Sequence, residues 1–251
     1  MILEFAGPPG SGKSTLETLL ITALRNEGYR VLNRHELREE ESLKYRTSGG
    51  SYKRFLKKTV TLRGLLSLNT KTLYRHPDLL TDLLKNRRIH RIKSTARVYE
   101  DQSVIKRFFS TTTAPEFLNL SEGLFHHIVA MNVWRSLDQK CDEIRIPKQI
   151  ASFITSLQEL VLIKTQVDFN TLEKRLKDRG VPSNWPGSIN LSYVLERFLY
   201  YEKLLTDNSF SDAFKVFTIN TNKEESTLTA VVESLASELV NLGVEDIIES
   251  P

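Results

Sequence analysis

Gly7-Pro8-Pro9-Gly10-Ser11-Gly12-Lys13-Ser14 matches the phosphate-binding pattern G-x-x-x-x-G-K-[ST] at every fixed position. Before it, Ile2-Leu3-Glu4-Phe5-Ala6 reads as a buried strand; after it, Lys13 to Glu27 reads as an amphipathic helix. Strand, glycine loop and helix therefore stand in the order that a triphosphate-binding loop requires. Gly7, Gly10 and Gly12 open φ values closed to other residues and let successive N–H groups approach an anion at a helix N-terminus. Pro8 and Pro9 stiffen the loop without adding donors. The chemistry of the pattern assigns Lys13 to the β- and γ-phosphates, the Ser14 hydroxyl to Mg²⁺ and Thr15 to the α-phosphate. With Gly7, Pro8, Gly10, Ser11 and Gly12 these residues make the candidate cradle for ATP and Mg²⁺.

The 251 residues suffice for one well-buried core carrying an excursion. Met1 stands one residue before the first strand, which leaves no room for a signal peptide, and no apolar run approaches the roughly 18 residues of a membrane span. The expectation is a soluble, cytoplasmic protein. Cys141 is the single cysteine, which excludes an internal disulfide and a cysteine-based zinc site.

The net charge of +4 is unevenly spread. Lys44 to Arg107 holds seventeen Lys or Arg against the acids Asp78, Asp82, Glu100 and Asp101, a net of +13, so the rest of the chain carries −9. A basic segment on an otherwise acidic protein is a candidate surface for an anionic partner.

Gly28 ends the first helix and Tyr29-Arg30-Val31-Leu32 reads as a second strand. From about Tyr52 to Arg107 leucines and aromatics recur at helical spacing, broken at Ser48-Gly49-Gly50 and His76-Pro77. Residues 44–110 thus form a basic helical insertion. Phe117-Leu118-Asn119-Leu120 reads as a strand, followed by helices near 124–138 and 148–157 and a strand at Leu160-Val161-Leu162-Ile163-Lys164. A basic helix from Thr171 to Arg179, a helix near 191–205, a strand at 214–219 and a closing helix near 224–242 complete the alternation. Five strands interleaved with helices predict an α/β chain: one three-layer domain over 1–251 with a five-stranded parallel sheet.

The chain resembles the nucleoside and nucleotide kinase-like group of P-loop proteins, the relatives of thymidylate kinase. The resemblance is carried by the opening Ile2 to Gly7 with its loop, by Leu120-Ser121-Glu122-Gly123-Leu124 at the third strand, and by Asp168 to Gly180. It implies that residues 168–188 form a lid whose Arg175 and Arg179 close over the phosphates. Guanidinium groups suit a loose phosphoryl transition state with charge spread over equatorial oxygens. Glu122 takes the place of the Mg²⁺-organising carboxylate, although relatives commonly carry Asp where this chain has Ser121. The alternative for this pair is a helix-terminal carboxylate with Ser121 as N-cap. Nucleoside kinases place an acidic base after the second strand, which here points to Glu36; the alternative is an acidic helix start over Glu36, Glu39, Glu40 and Glu41. His126 and His127 form a pair without a third ligand, a pattern of packing rather than metal binding.

The resemblance implies an ATP-dependent phosphotransferase acting on a hydroxyl or phosphate of an anionic small molecule: a nucleoside or nucleotide, a sugar phosphate or a glycan. Its basic insertion would hold the acceptor, and Glu36 or Glu122 would receive the acceptor proton. The competing reading is a nucleotide-gated module that holds nucleic acid or another acidic partner through residues 44–107, where Tyr45, Tyr52 and Phe55 interleave with cations. No Asn-Lys-x-Asp and no Asp-x-x-Gly motif supports a GTPase. A dimer is compatible with either reading.

Overall fold

Strand β1 (Ile2–Ala6) is buried at every residue, as an apolar run covered on both faces must be. It lies at the centre of a five-stranded parallel sheet of order β2-β3-β1-β4-β5, with β2 at Arg30–Asn33, β3 at Glu116–Asn119, β4 at Leu160–Gln166 and β5 at Lys215–Asn220. The register pairs Leu3 with Asn119 on one side and with Val161 on the other. The computed structural model describes residues 1–37, 89–111, 116–139, 142–157, 160–180, 190–207 and 214–248.

Helix α1 (Lys13–Asn26) leaves the carboxyl end of β1 and packs Leu16, Leu20 and Leu24 onto the sheet, one residue per turn on a single face. It stops because Gly28 adopts φ 89°, where the N–H groups of Gly28 and Tyr29 close back on the carbonyls of Arg25 and Leu24. This is a Schellman end, and Tyr29 joins the apolar layer beneath it. The C-terminal helix α7 (Glu225–Ile248) covers the same face with Leu228, Val232, Leu235 and Leu239.

The opposite face carries α2 (Ile89–Thr111), α3 (Leu124–Gln139), α4 (Lys148–Thr155) and α6 (Leu191–Asp207), whose Ile105, Phe108, Leu124, Ile128, Val194 and Phe198 pack with Ile2, Leu118 and Leu162 of the sheet. Helix α5 (Phe169–Arg179) follows β4 and is capped by Asp168, which accepts the Thr171 N–H at 2.8 Å. The parallel three-layer arrangement is the one expected from the alternation of elements. Of the basic insertion, only helix α2 lies among the described residues; Lys53, Arg54, Lys57, Lys58, Arg87, Arg88 and Tyr45 fall outside them, as do Cys141 and the second half of the lid, residues 181–188. Among the described residues no helix is long and apolar enough to cross a membrane.

Leu20 is fully buried between α7 and the sheet. Leu20→Ala is expected to destabilise the protein by about 2–5 kcal/mol in urea titrations, with an unchanged m-value.

Candidate active site

The loop leaves β1 at the carboxyl edge of the sheet, the edge where open α/β sheets hold ligands. Gly7, Gly10 and Gly12 have φ of 143°, 84° and 89°. A methyl group at Gly7 would collide with Thr165 Oγ1 and lie 2.7 Å from Ser11 Oγ, so this glycine is required by close approach as well as by its backbone angle. The underside of the loop is tied to neighbouring strand ends. Thr165 Oγ1 stands 3.0 Å from the Ala6 carbonyl and 2.6 Å from Ser11 Oγ, and Thr221 Oγ1 donates to the Ser11 carbonyl at 2.7 Å. Ser11 is fully buried, so its side chain anchors the loop from below while its neighbours form the upper surface.

Helix α1 starts at Lys13 with Gly12 as N-cap and no side-chain cap, which leaves its first N–H groups pointing outward. Pro9, Gly10, Gly12, Lys13, Ser14 and Thr15 line a cleft of about 970 Å³. Lys13 is buried, and its ammonium donates to the carbonyls of Gly7 at 2.7 Å and Pro8 at 3.1 Å. Across the cleft, Glu122 Oε1 lies 3.3 Å from Lys13 Nζ. Burial pushes the Glu122 carboxyl up, but His126 where it is protonated, and the Lys13 ammonium through its charge and hydrogen bond, bring it down to about 2. Burial lowers Lys13, with Glu122 opposing.

Two clamps position Glu122. Glu17 on α1 accepts from Asn119 Nδ2 at 2.7 Å and from Ser121 Oγ at 2.8 Å, fastening the end of β3 to the phosphate-loop helix. Ser121 is held at φ 56°, rare for a residue with a side chain, while its N–H donates to Asn119 Oδ1 and its carbonyl accepts the Phe5 N–H. Arg34 supplies the second clamp: its Nη2 donates to the carbonyls of Leu120 at 2.9 Å and Glu122 at 2.8 Å and pairs with buried Asp101 at 2.8 Å. Ser121 is therefore not an N-cap. Helix α3 begins three residues later, and the serine hydroxyl is spent on Glu17.

Glu36 is placed elsewhere. Its Oε2 accepts the Asn33 N–H at 2.8 Å while Asn33 Oδ1 accepts the Glu36 N–H at 3.0 Å, a reciprocal capping box that starts the turn over 34–37. Its other oxygen is 3.6 Å from Arg25. Glu36 thus caps this turn, while Glu39, Glu40 and Glu41 lie outside the described residues, and Arg34 is the residue of 34–37 that reaches the site.

Arg175 and Arg179 both line the cleft. Arg175 donates to the Thr221 carbonyl at 3.1 Å and reaches the Gly10 carbonyl at 3.5 Å, so α5 is docked against the phosphate loop. The cleft is also lined by Ser94 and Arg97 of α2, His126, His127, Ala130 and Trp134 of α3, and Phe198 of α6. His126 stacks on Phe198 at 26° and sits 3.6 Å from Glu122 Oε2; burial holds it near 3, a neutral ring.

Sequence reading missed Glu4, Glu17, Asp101 and Asn119. Glu4 lies in β1 with no exposure, accepting the His126 N–H at 2.8 Å, and a Cβ at Gly123 would come within 2.8 Å of its carboxyl carbon. The glycine after Glu122 is therefore required by the acid beneath it. Burial pushes Glu4 up to about 8, against the His126 and Phe125 N–H groups. A charged residue inside an apolar strand was the available signal.

No protein-family model and no curated protein matches the sequence. Solved structures of deoxyadenosine kinase from M. mycoides are similar to the chain over nearly its full length. The form with bound dCTP has 15% identity, covers 95% of this chain and 100% of that one, and superposes with a TM-score of 0.50. The form with bound dATP has 14% identity, coverage of 94% and 99%, and a TM-score of 0.51. At such identities the likeness is one of architecture: the chain has the P-loop fold of nucleoside kinases.

Glu4 supplies a pH test. Its folded value lies above the ordinary 4.5, so its contribution to stability is present below about 4.5 and is lost as pH rises toward about 8. Glu4→Gln keeps the acceptor for His126 N–H and removes this titration. The stability advantage of the variant over the parent is expected to grow from pH 5 to pH 8, by at most about 1.4 kcal/mol per pH unit, in urea titrations at each pH.

Proposed function

We propose that this protein is a kinase that transfers the γ-phosphoryl group of ATP to an acceptor held at the aromatic end of the cleft, and that the acceptor is a nucleoside or nucleotide. The observation that carries the reading is that one cleft holds a glycine loop with its lysine, two arginines on an adjoining helix, an ionised carboxylate opposite the lysine, and, beyond them, Trp134, His126 and Phe198. Loop, cations and carboxylate suit a triphosphate; flat side chains suit a base. The kinase architecture and the full-length likeness to a deoxyadenosine kinase support the same reading.

The residues fit ATP with Mg²⁺. Outward N–H groups at the start of α1 and the Lys13 ammonium offer donors to phosphate oxygens. Lys13 would exchange the carbonyls of Gly7 and Pro8 for the β- and γ-phosphates. Ser14 and Glu122 would hold the ion, a hard cation suited to a hydroxyl, a carboxylate and phosphate oxygens, and its chemistry is to neutralise developing charge. Among the described residues no three His, Cys, Asp or Glu side chains converge on a point, so the ion would take its other ligands from the nucleotide and water. Arg175, lifted from Gly10 and Thr221, and Arg179 would spread over the transferring group. Catalysis in this scheme is positional and electrostatic.

Lys13→Ala is expected to abolish transfer from labelled ATP and to remove the rise in melting temperature that a non-hydrolysable ATP analogue gives the parent. Arg175→Ala and Arg179→Ala should each keep that rise and lower kcat by roughly 100-fold or more. Undiminished transfer by Lys13→Ala would overturn the reading.

A further inference from the structure

His127 stands on α3 one turn beyond Glu122, and its environment is unlike that of a packing histidine. Its Nδ1 lies 2.7 Å from Asp101 Oδ2, and both side chains are buried. The other oxygen of Asp101 forms an ion pair with the Arg34 guanidinium at 2.8 Å, so the hydrogen shared between His127 and this carboxylate belongs to Nδ1. The tautomer is thereby set: Nε2 carries the lone pair. Nε2 is buried and has no hydrogen-bond partner among the described residues, while the ring borders the cleft with its Nδ1 edge turned back to Asp101. A buried lone pair without a donor is unfavourable unless something completes it.

We propose that His127, oriented by Asp101, accepts the hydrogen bond and then the proton of the acceptor hydroxyl, so that this kinase phosphorylates an alcohol rather than a phosphate. The proposal rests on the kinase reading above and sharpens its acceptor. In the step, the acceptor O–H proton passes to Nε2, the acceptor oxygen forms its bond to the γ-phosphorus, and the bond from that phosphorus to the bridging oxygen breaks with its electron pair leaving on ADP. The imidazolium so formed sits against the Asp101 carboxylate and returns its proton to water after product release. Burial, with Arg34 and Arg97 nearby, keeps the resting ring neutral. A weak base is adequate here, because in a loose phosphoryl transition state the hydroxyl becomes acidic only late, as the bond to phosphorus forms. A phosphate acceptor has the opposite demand: its anionic oxygens would meet a lone pair where they need a donor. His127 lines the cleft together with Ser94 and Arg97 of α2, so in this scheme the hydroxyl meets Nε2 through a shift of the wall that now buries it.

The test measures transfer from labelled ATP to the common ribo- and deoxyribonucleosides and to their monophosphates, using the full chain and the variants His127→Gln, His127→Gly and Asp101→Asn. Expected are transfer to a nucleoside hydroxyl by the parent and a fall in kcat of roughly 100-fold or more in His127→Gln at an unchanged KM for ATP. His127→Gly should regain transfer on addition of imidazole, which a purely structural role for the ring would not produce. Asp101→Asn should lower kcat while the melting-temperature rise given by the ATP analogue persists. Transfer to monophosphates alone, or His127 variants that bind the analogue and transfer at the parental rate, would overturn the proposal and leave the kinase reading standing. Absence of transfer to any acceptor by the parent would overturn both.

Discussion

The pairing of β1 between β3 and β4 is the constraint on which the rest depends. A strand buried on both faces and bonded on both edges has one fixed position, and everything that leaves its carboxyl end inherits that position. The phosphate loop is then locked to the neighbouring strand ends by Thr165 and Thr221, so that Lys13 and the start of α1 are directed without help from a ligand. Such preorganisation is what positional catalysis needs, since groups already in place do not reorganise as charge develops.

The second half of the site is placed by polar contacts of unequal kind. Glu17 ties the end of β3 to α1, while Arg34 reaches under the same loop and meets Asp101. Ser121 in the left-handed region sits between them, and the strain of that backbone is accommodated by three hydrogen bonds on one residue. The serine at this point therefore serves the geometry that presents Glu122 to Lys13.

Beneath the cleft lie the buried ionisable groups Glu4, Asp101 and His127, reached by the partly buried Arg34, with Glu122 and His126 beside them. Groups removed from water are costly unless paired, and their concentration under one wall of the cleft marks that wall as more than packing. The rings of His126, Trp134 and Phe198 border the same cleft as Lys13, Arg175 and Arg179, so cationic and flat side chains line one space.

The glycine loop, the alternation of strands and helices, the end of α1 at Gly28 and the basic face of α5 were legible in the chain, because each depends on local backbone chemistry or on a short repeat of apolar residues. Glu36 shows where such reading stops: an acid after the second strand satisfies a functional pattern and a capping box equally well, and only the hydrogen bond back to Asn33 distinguishes them. Arg34, Glu17, Asp101 and His127 were invisible as a group, since they come from four segments spread over more than a hundred residues and share no spacing. Local sequence by itself determined the glycine loop, its lysine and the helix that follows it. The tertiary structure decided which carboxylate faces the lysine and which histidine pairs with a buried acid, because both follow from through-space pairing of groups distant in the chain.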